Sequence, residues 1–290
     1  MTRVAEHPAA PDPAPHSFDL PRRRRLRGAK VLSDGRRLYW WIEIVAIVVF
    51  YVAYSAIRNA NGNDTAQARH NAVDLIDVQK FLGINHEATL QHWALHFKPL
   101  IIFCNYFYGS LHFVLTAGVL VYLFRKWSDD YALWRNALGV TTVLALIGFT
   151  FFPLMPPRLM PSHFGFVDTL DRYPTLWTFK SGPINKISNQ YAAMPSIHCA
   201  WALWCAIVLT PRLRRTWAKA LAIAYPVVTV TAIVLTGNHY FLDAVGGFVA
   251  LGIGYLLARR FTRAGRGTRR ARAHSSVSGW DVADVVADPP

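Results

Sequence analysis

Six apolar runs decide what this chain can become. They fall at about 39–57, 100–124, 136–155, 194–210, 217–236 and 241–258, each 17 to 25 residues long. A helix rising about 1.5 Å per residue needs about 20 residues to cross roughly 30 Å of hydrocarbon. Inside lipid every backbone N–H and C=O must be bonded within the protein, and a helix does this within one run. The expected fold is therefore all-α, a polytopic membrane protein with a bundle of six transmembrane helices. The first run opens on "YWW", and others carry Trp or Tyr near their ends, as an interfacial aromatic belt requires. No small-residue cleavage pattern precedes the first run, so it reads as a span and not as a cleaved leader.

Charge gives the orientation. The chain of 290 residues carries a net charge of +14, and its basic residues cluster between the runs. With the N-terminus inside, segments 1–38, 125–135, 211–216 and 259–290, together with Lys219, hold 23 of the 31 basic residues. The positive-inside rule then puts both termini in the cytoplasm, in a multi-pass protein of the plasma membrane. Residues 1–38 and 259–290 read as basic disordered tails around a membrane domain of 39–258. Their "RRRRLRG" and "RRFTRAGRGTRRAR" stretches fit an anchor on anionic lipid, not a nucleic-acid arm. Cys104, Cys199 and Cys205 all fall within runs, which suits small core residues and no disulfide framework.

The polar segment 58–98 is expected outside the membrane. From 66 to 82 it places Ala68, Ala72, Leu75, Val78 and Leu82 on one helical face, with His70, Asp74 and Asp77 on another. Leu90, Trp93, Ala94 and Phe97 repeat the pattern. Both stretches read as amphipathic helices lying in the outer interface. Glu43, near the inner end of the first run, is expected to reach the interface.

Polar side chains inside the runs matter more, because they are costly in lipid and usually face the bundle interior. Asn105, Tyr108 and His112 stand at i, i+3 and i+7 in "CNYFYGSLHF", hence on one face. They form either an interhelical hydrogen-bond cluster or part of a site. "FFPLMPPRLMP" opens the outer loop 156–193 and presents Arg158 at the surface, as a lipid anchor or an anion ligand. The loop closes at "MPSIH", where Pro195 starts a helix and leaves the N–H groups of Ser196 and Ile197 for an anion beside His198. "LTGNHYFLDAVGG" turns at Gly237-Asn238, and His239 and Asp243 are spaced to share a helical face. A carboxylate on one imidazole nitrogen fixes the tautomer and frees the other as base or nucleophile.

At this point the residues resemble a family. "PSIH" followed about forty residues later by "HYFLD" is similar to the second and third motifs of the type-2 phosphatidic acid phosphatase superfamily, Pro-Ser-Gly-His and His-x-x-x-Asp. Ile197 replaces the family's Gly, Ile233 stands where an Arg precedes the second histidine, and the first motif is missing. "PPR", "MPSIHCAW" and "HYFLD" look closer to the inositol phosphorylceramide synthase-like branch, whose members transfer phosphorylated headgroups. The resemblance spans about 100–258. It implies that His239, oriented by Asp243, attacks phosphorus to give a phosphohistidine, and that His198 protonates the leaving oxygen. Arg158, Ser196 and Asn238 would hold the phosphate, with Asn105, Tyr108 and His112 toward the substrate. It implies a membrane lipid as substrate, water or an alcohol as acceptor, and neither cofactor, metal nor nucleic acid. Two other classes use the same side chains: a metal- or haem-binding membrane module on His198, His239 and Asp243, and a transporter with a proton-relay histidine pair.

Overall fold

The computed structural model describes residues 29–33, 35, 37–60, 64–175 and 190–277, with the side chains of the last helix described through 262. A hairpin of β1 (Ala29–Val31) and β2 (Arg37–Tyr39) leads into α1 (Trp40–Ala60). Two helices follow across one end of the bundle, α2 (Thr65–Phe81) and α3 (Glu87–Leu95). Next come α4 (Lys98–Tyr106), α5 (His112–Lys126), α6 (Ser128–Phe151) and the short α7 (Thr169–Arg172). The last three are α8 (Ile197–Leu209), α9 (Thr216–Leu235) and α10 (Phe241–Val277).

Five stretches are long and apolar enough to cross a membrane: Trp40–Asn59, Lys98–Lys126, Ser128–Phe151, Thr216–Leu235 and Phe241–Thr262. The run expected at 194–210 is a shorter apolar helix, α8, of 13 residues. At 1.5 Å per residue it covers about 20 Å, less than the roughly 30 Å of hydrocarbon. The all-α membrane architecture stands, with five full spans and one short core helix among the described residues.

That core helix is central. α8 packs against α9, α10 and α5, while α10 lies along α6. Glycine makes these approaches possible. A Cβ on Gly254 would lie 2.3 Å from Thr141 Oγ1, and one on Gly247 would lie 2.3 Å from the Ser196 carbonyl oxygen. Small residues are how membrane helices come close without a hydrophobic driving force between them. Trp204, Val208, Leu123 and Leu251 fill the centre. The three cysteines are buried and free.

Several expectations change here. Residues 29–38, read as tail, form with Tyr39 a hairpin that is tied to the bundle, Lys30 Nζ donating to the Arg125 carbonyl at 3.1 Å and the Ser33 N–H to Asp129 Oδ1 at 2.8 Å. Residues 259–277, also read as tail, continue α10; they are rich in Ala and Arg and lack Pro, a composition that favours helix. The rest of both tails, 1–28 and 278–290, lies outside the described residues. Glu43 is buried in an ion pair with Arg135 and accepts the Tyr131 hydroxyl at 3.3 Å, since a buried carboxylate needs a partner.

The amphipathic helix α2 buries Ala68, Ala72 and Leu75 of its expected stripe and exposes His70, Asp74 and Asp77, whereas α3 turns most of its stripe outward. In α2 the buried side is Ala68, Asn71, Ala72, Leu75, Ile76 and Gln79, while Val78 and Leu82 are about half exposed. In α3 the buried residues are Glu87, Gln91 and Ala94, and Leu90, Trp93 and Phe97 turn outward. The polar side chains face inward because they have backbone groups to satisfy there.

Candidate active site

Those backbone groups belong to the start of α10. The first N–H groups of a helix have no partner within it. Phe241 N–H donates to Glu87 Oε1 at 3.0 Å and Leu242 N–H to Gln79 Oε1 at 3.2 Å, while Gln79 Nε2 donates to Glu87 Oε1 at 2.6 Å. The third N–H, that of Tyr240, goes to Asp243 Oδ2 at 2.9 Å. One buried helix terminus is thus satisfied by three side chains.

Asp243 Oδ2 also takes His239 Nδ1 at 3.1 Å, and both residues are buried. His239 stands two positions before α10, so the pair does not share a helix as the spacing predicts; the carboxylate reaches back over the helix start instead. With Nδ1 engaged, Nε2 is the nitrogen left for chemistry. Gly237, at φ +66°, turns the chain out of α9 and into this position. No side chain fits at that turn, because a Cβ would come within 2.7 Å of Gln91 Nε2 and 3.3 Å of Arg158 Cβ.

His198 occupies the first turn of α8. Its ring centroid is 5.4 Å from that of His239, 4.4 Å from Tyr108 and 4.3 Å from His112. The two stretches are tied by backbone, since the Ser196 N–H donates to the Asp243 carbonyl at 2.9 Å. Ser196 is fully buried and caps α8, its Oγ accepting the Cys199 N–H at 3.5 Å. The Ser196 N–H expected to be free for an anion is therefore already used.

Arg158 follows the α6 terminus. Its backbone N–H donates to the Gly237 carbonyl at 2.7 Å, its Nε to Asn238 Oδ1 at 3.0 Å and its Nη1 to Asp168 Oδ2 at 3.1 Å. Asn238 Nδ2 in turn donates to Thr236 Oγ1 at 2.8 Å. The guanidinium is held in one orientation by two side chains.

A cavity of about 330 Å³ gathers these groups: His198, His239, Arg158, Asn238, Tyr108 and His112 all line it. Asn105 is apart. Its Nδ2 donates to the Thr169 carbonyl at 3.1 Å and its Oδ1 accepts the Thr169 hydroxyl at 3.0 Å. The cause is a π-helical turn at Phe107–Leu111 between α4 and α5. One extra residue per turn breaks the i, i+3, i+7 register, so Asn105 braces α7 while Tyr108 and His112 face the cavity; such turns recur at functional sites. Arg58 and Tyr54, from the C-terminal end of α1, line the cavity too. The only sequence signal for Arg58 is a basic residue closing the first apolar run. Among the described residues no group of three or more His, Cys, Asp and Glu side chains is arranged to hold a metal ion.

A family model described as the PAP2 superfamily matches residues 73–257. The chain belongs to the PAP2 superfamily. Members of this superfamily are phosphatases and phosphotransferases, which makes a membrane lipid phosphatase or phosphotransferase the functional class here. No curated protein and no solved structure matches the chain. The PAP2 match contains His198, His239, Asp243 and Arg158, and it begins after Arg58.

The helix-start anchoring yields a stability prediction. Glu87 Oε2 has no partner, whereas Oε1 accepts two donors. Glu87→Gln keeps the accepting oxygen and replaces only the idle one. Glu87→Ala strands the Phe241 N–H, a loss of about 1–3 kcal/mol for a buried donor. Thermal unfolding in detergent should place the alanine variant clearly below the glutamine variant; equal losses would show that the two bonds contribute nothing.

Proposed function

We propose that this chain is an integral-membrane phosphotransferase or phosphatase acting on a lipid phosphate or phospholipid headgroup through a phosphohistidine intermediate. One observation carries the reading: a buried His239–Asp243 pair faces His198 across a polar cavity that two arginines also line.

In the first step His239 Nε2 attacks phosphorus and the P–O bond to the lipid oxygen breaks. His198 gives its proton to that oxygen as it leaves. Asp243, on Nδ1, stabilises the positive charge that the His239 ring acquires. In the second step His198 takes the proton of the acceptor, water or an alcohol, whose oxygen attacks phosphorus. The N–P bond breaks and His239 is regenerated. Arg158 and Arg58 balance the charge on the equatorial oxygens, and Asn238 fixes the Arg158 fork. Arg58 thereby stands in for the arginine that Ile233 replaces; Ile233 itself is fully buried. Tyr108 and His112 form an aromatic wall on His198. The motif spellings "PPR", "MPSIHCAW" and "HYFLD" support the inositol phosphorylceramide synthase-like branch, in which the acceptor is an alcohol and the product a transferred headgroup. The distribution of 23 of 31 basic residues supports a site on the extracytoplasmic face of the plasma membrane, with both termini inside.

The two histidines are separable by leaving group. Protonation by His198 matters most when the departing alkoxide is a strong base, where such help is worth about 10²–10⁴-fold. His198→Ala should be far less damaged on a phosphate ester of an acidic phenol than on a natural lipid. His239→Ala should be inactive on both, and Asp243→Asn a weaker version of it. The ratio of kcat/KM on the two substrates decides, and rescue of His239→Ala alone by the better leaving group would reverse the roles.

The arginines make a second test. Arg58→Gln and Arg158→Lys should each lower kcat/KM for a phosphate ester by at least tenfold, the second despite keeping its charge, because an ammonium cannot hold Asn238 and Asp168 together. Full activity of Arg58→Gln would remove α1 from phosphate binding.

Sidedness can be read from labelling. Cysteines placed at the exposed positions Ser162 and Thr216 sit at opposite ends of the bundle, and the native thiols are buried. An impermeant thiol reagent added to intact cells should modify the first and spare the second. Labelling of Thr216→Cys alone would put the site on the cytoplasmic face.

A further inference from the structure

A second cavity, of about 690 Å³, opens between α1, α5 and α6. Its lining is almost wholly apolar, with Ile47, Phe50, Leu120, Leu138 and Val143 among its walls. Tyr51, Phe113 and Trp201 line this groove and the polar cavity alike. Their rings meet edge to face, Tyr51 and Phe113 at 6.1 Å and Phe113 and Trp201 at 5.9 Å between centroids. The two spaces therefore adjoin across one aromatic partition.

The far end of the groove is at Arg135 and Asn136, where Arg135 is occupied by its ion pair with buried Glu43. Along α6, the step from Phe149 in the polar cavity to Asn136 spans about 20 Å at 1.5 Å per residue. One leaflet of a bilayer is about 15 Å of hydrocarbon. An extended acyl chain fits this length, and its far end would meet the Glu43–Arg135 pair. On the α1 wall of the groove Val48 and Val52 are more than half exposed, so a chain reaches the groove sideways from the membrane.

We propose that this groove holds one acyl chain of the lipid whose phosphate ester occupies the polar cavity. The assignment rests on the phosphoryl-transfer reading above and adds to it the substrate class, a long-chain lipid entering past α1. The aromatic partition sets the depth at which the chain hands over to the headgroup, and the Glu43–Arg135 pair limits chain length. Placing the phosphate at His239 then follows from burying the chain.

Two measurements on the full-length chain in phosphatidylcholine nanodiscs test this. The first uses phosphatidic acid carrying a diazirine at the end of one acyl chain. Cross-links should fall on α6 between Asn136 and Val143, and unlabelled phosphatidic acid should suppress them while added phosphatidylcholine does not. Equal suppression by both lipids, or by neither, would show ordinary boundary lipid and overturn the assignment. The second uses Gly139→Phe, which projects a ring into the groove from a position where an added Cβ meets nothing within 4 Å. The ratio of kcat/KM for dioleoyl over dibutyryl phosphatidic acid should fall at least tenfold, and Val143→Trp should do the same. An unchanged ratio in both variants overturns the proposal. Wild-type protein that turns over no phosphate ester would instead sink the phosphoryl-transfer reading, and the cross-linking result would still decide the groove.

Discussion

Everything at the polar-cavity end of this protein hangs on the Asp243 carboxyl group and its backbone. Oδ2 accepts from His239 Nδ1 and from the Tyr240 N–H, and the Asp243 carbonyl accepts the Ser196 N–H. One residue therefore starts α10, orients one histidine and fixes the loop that delivers the other. A fully buried carboxylate is stable only when hydrogen-bonded in this way. The histidine pair and the fold draw on the same bonds, which hold the two rings at their spacing.

The second constraint is the start of α10 itself. Its first N–H groups are partly buried, and a membrane protein cannot leave them unsatisfied. Gln79 and Glu87 supply the acceptors from α2 and α3, which explains why α2 adds Gln79 to its buried apolar side and α3 turns polar side chains inward. The outward Leu90, Trp93 and Phe97 suit a lipid interface, so one arrangement serves both sides of α3. A carboxylate at this terminus also sits at the positive end of the helix dipole, the favourable end for it.

The spans were legible because length and hydropathy answer directly to bilayer thickness, and the His198, His239 and Asp243 set because its spacing is a motif. What escaped the sequence has specific causes. The face of α3 was inverted because hydrophobic periodicity assumes that the apolar side is buried, which fails when polar partners wait inside and lipid lies outside. Asn105 was grouped with Tyr108 and His112 because a π-helical turn leaves no mark in residue spacing. Ser196 offered an N–H that a distant carbonyl had already taken. Glu43 found its partner 92 positions away, and Arg58 reached the cavity from a helix outside the motifs; both depend on which helices become neighbours.

The site is built around the start of one short helix. α8 has 13 residues, and His198 stands in its first turn. The space above that terminus is roofed by the Arg158 loop, which hydrogen-bonds to the Gly237 turn, and is walled by Tyr108 and His112 on the π-helical stretch. There the polar cavity adjoins the apolar groove between α1, α5 and α6. Polar and apolar linings meet at Tyr51, Phe113 and Trp201, which border both spaces.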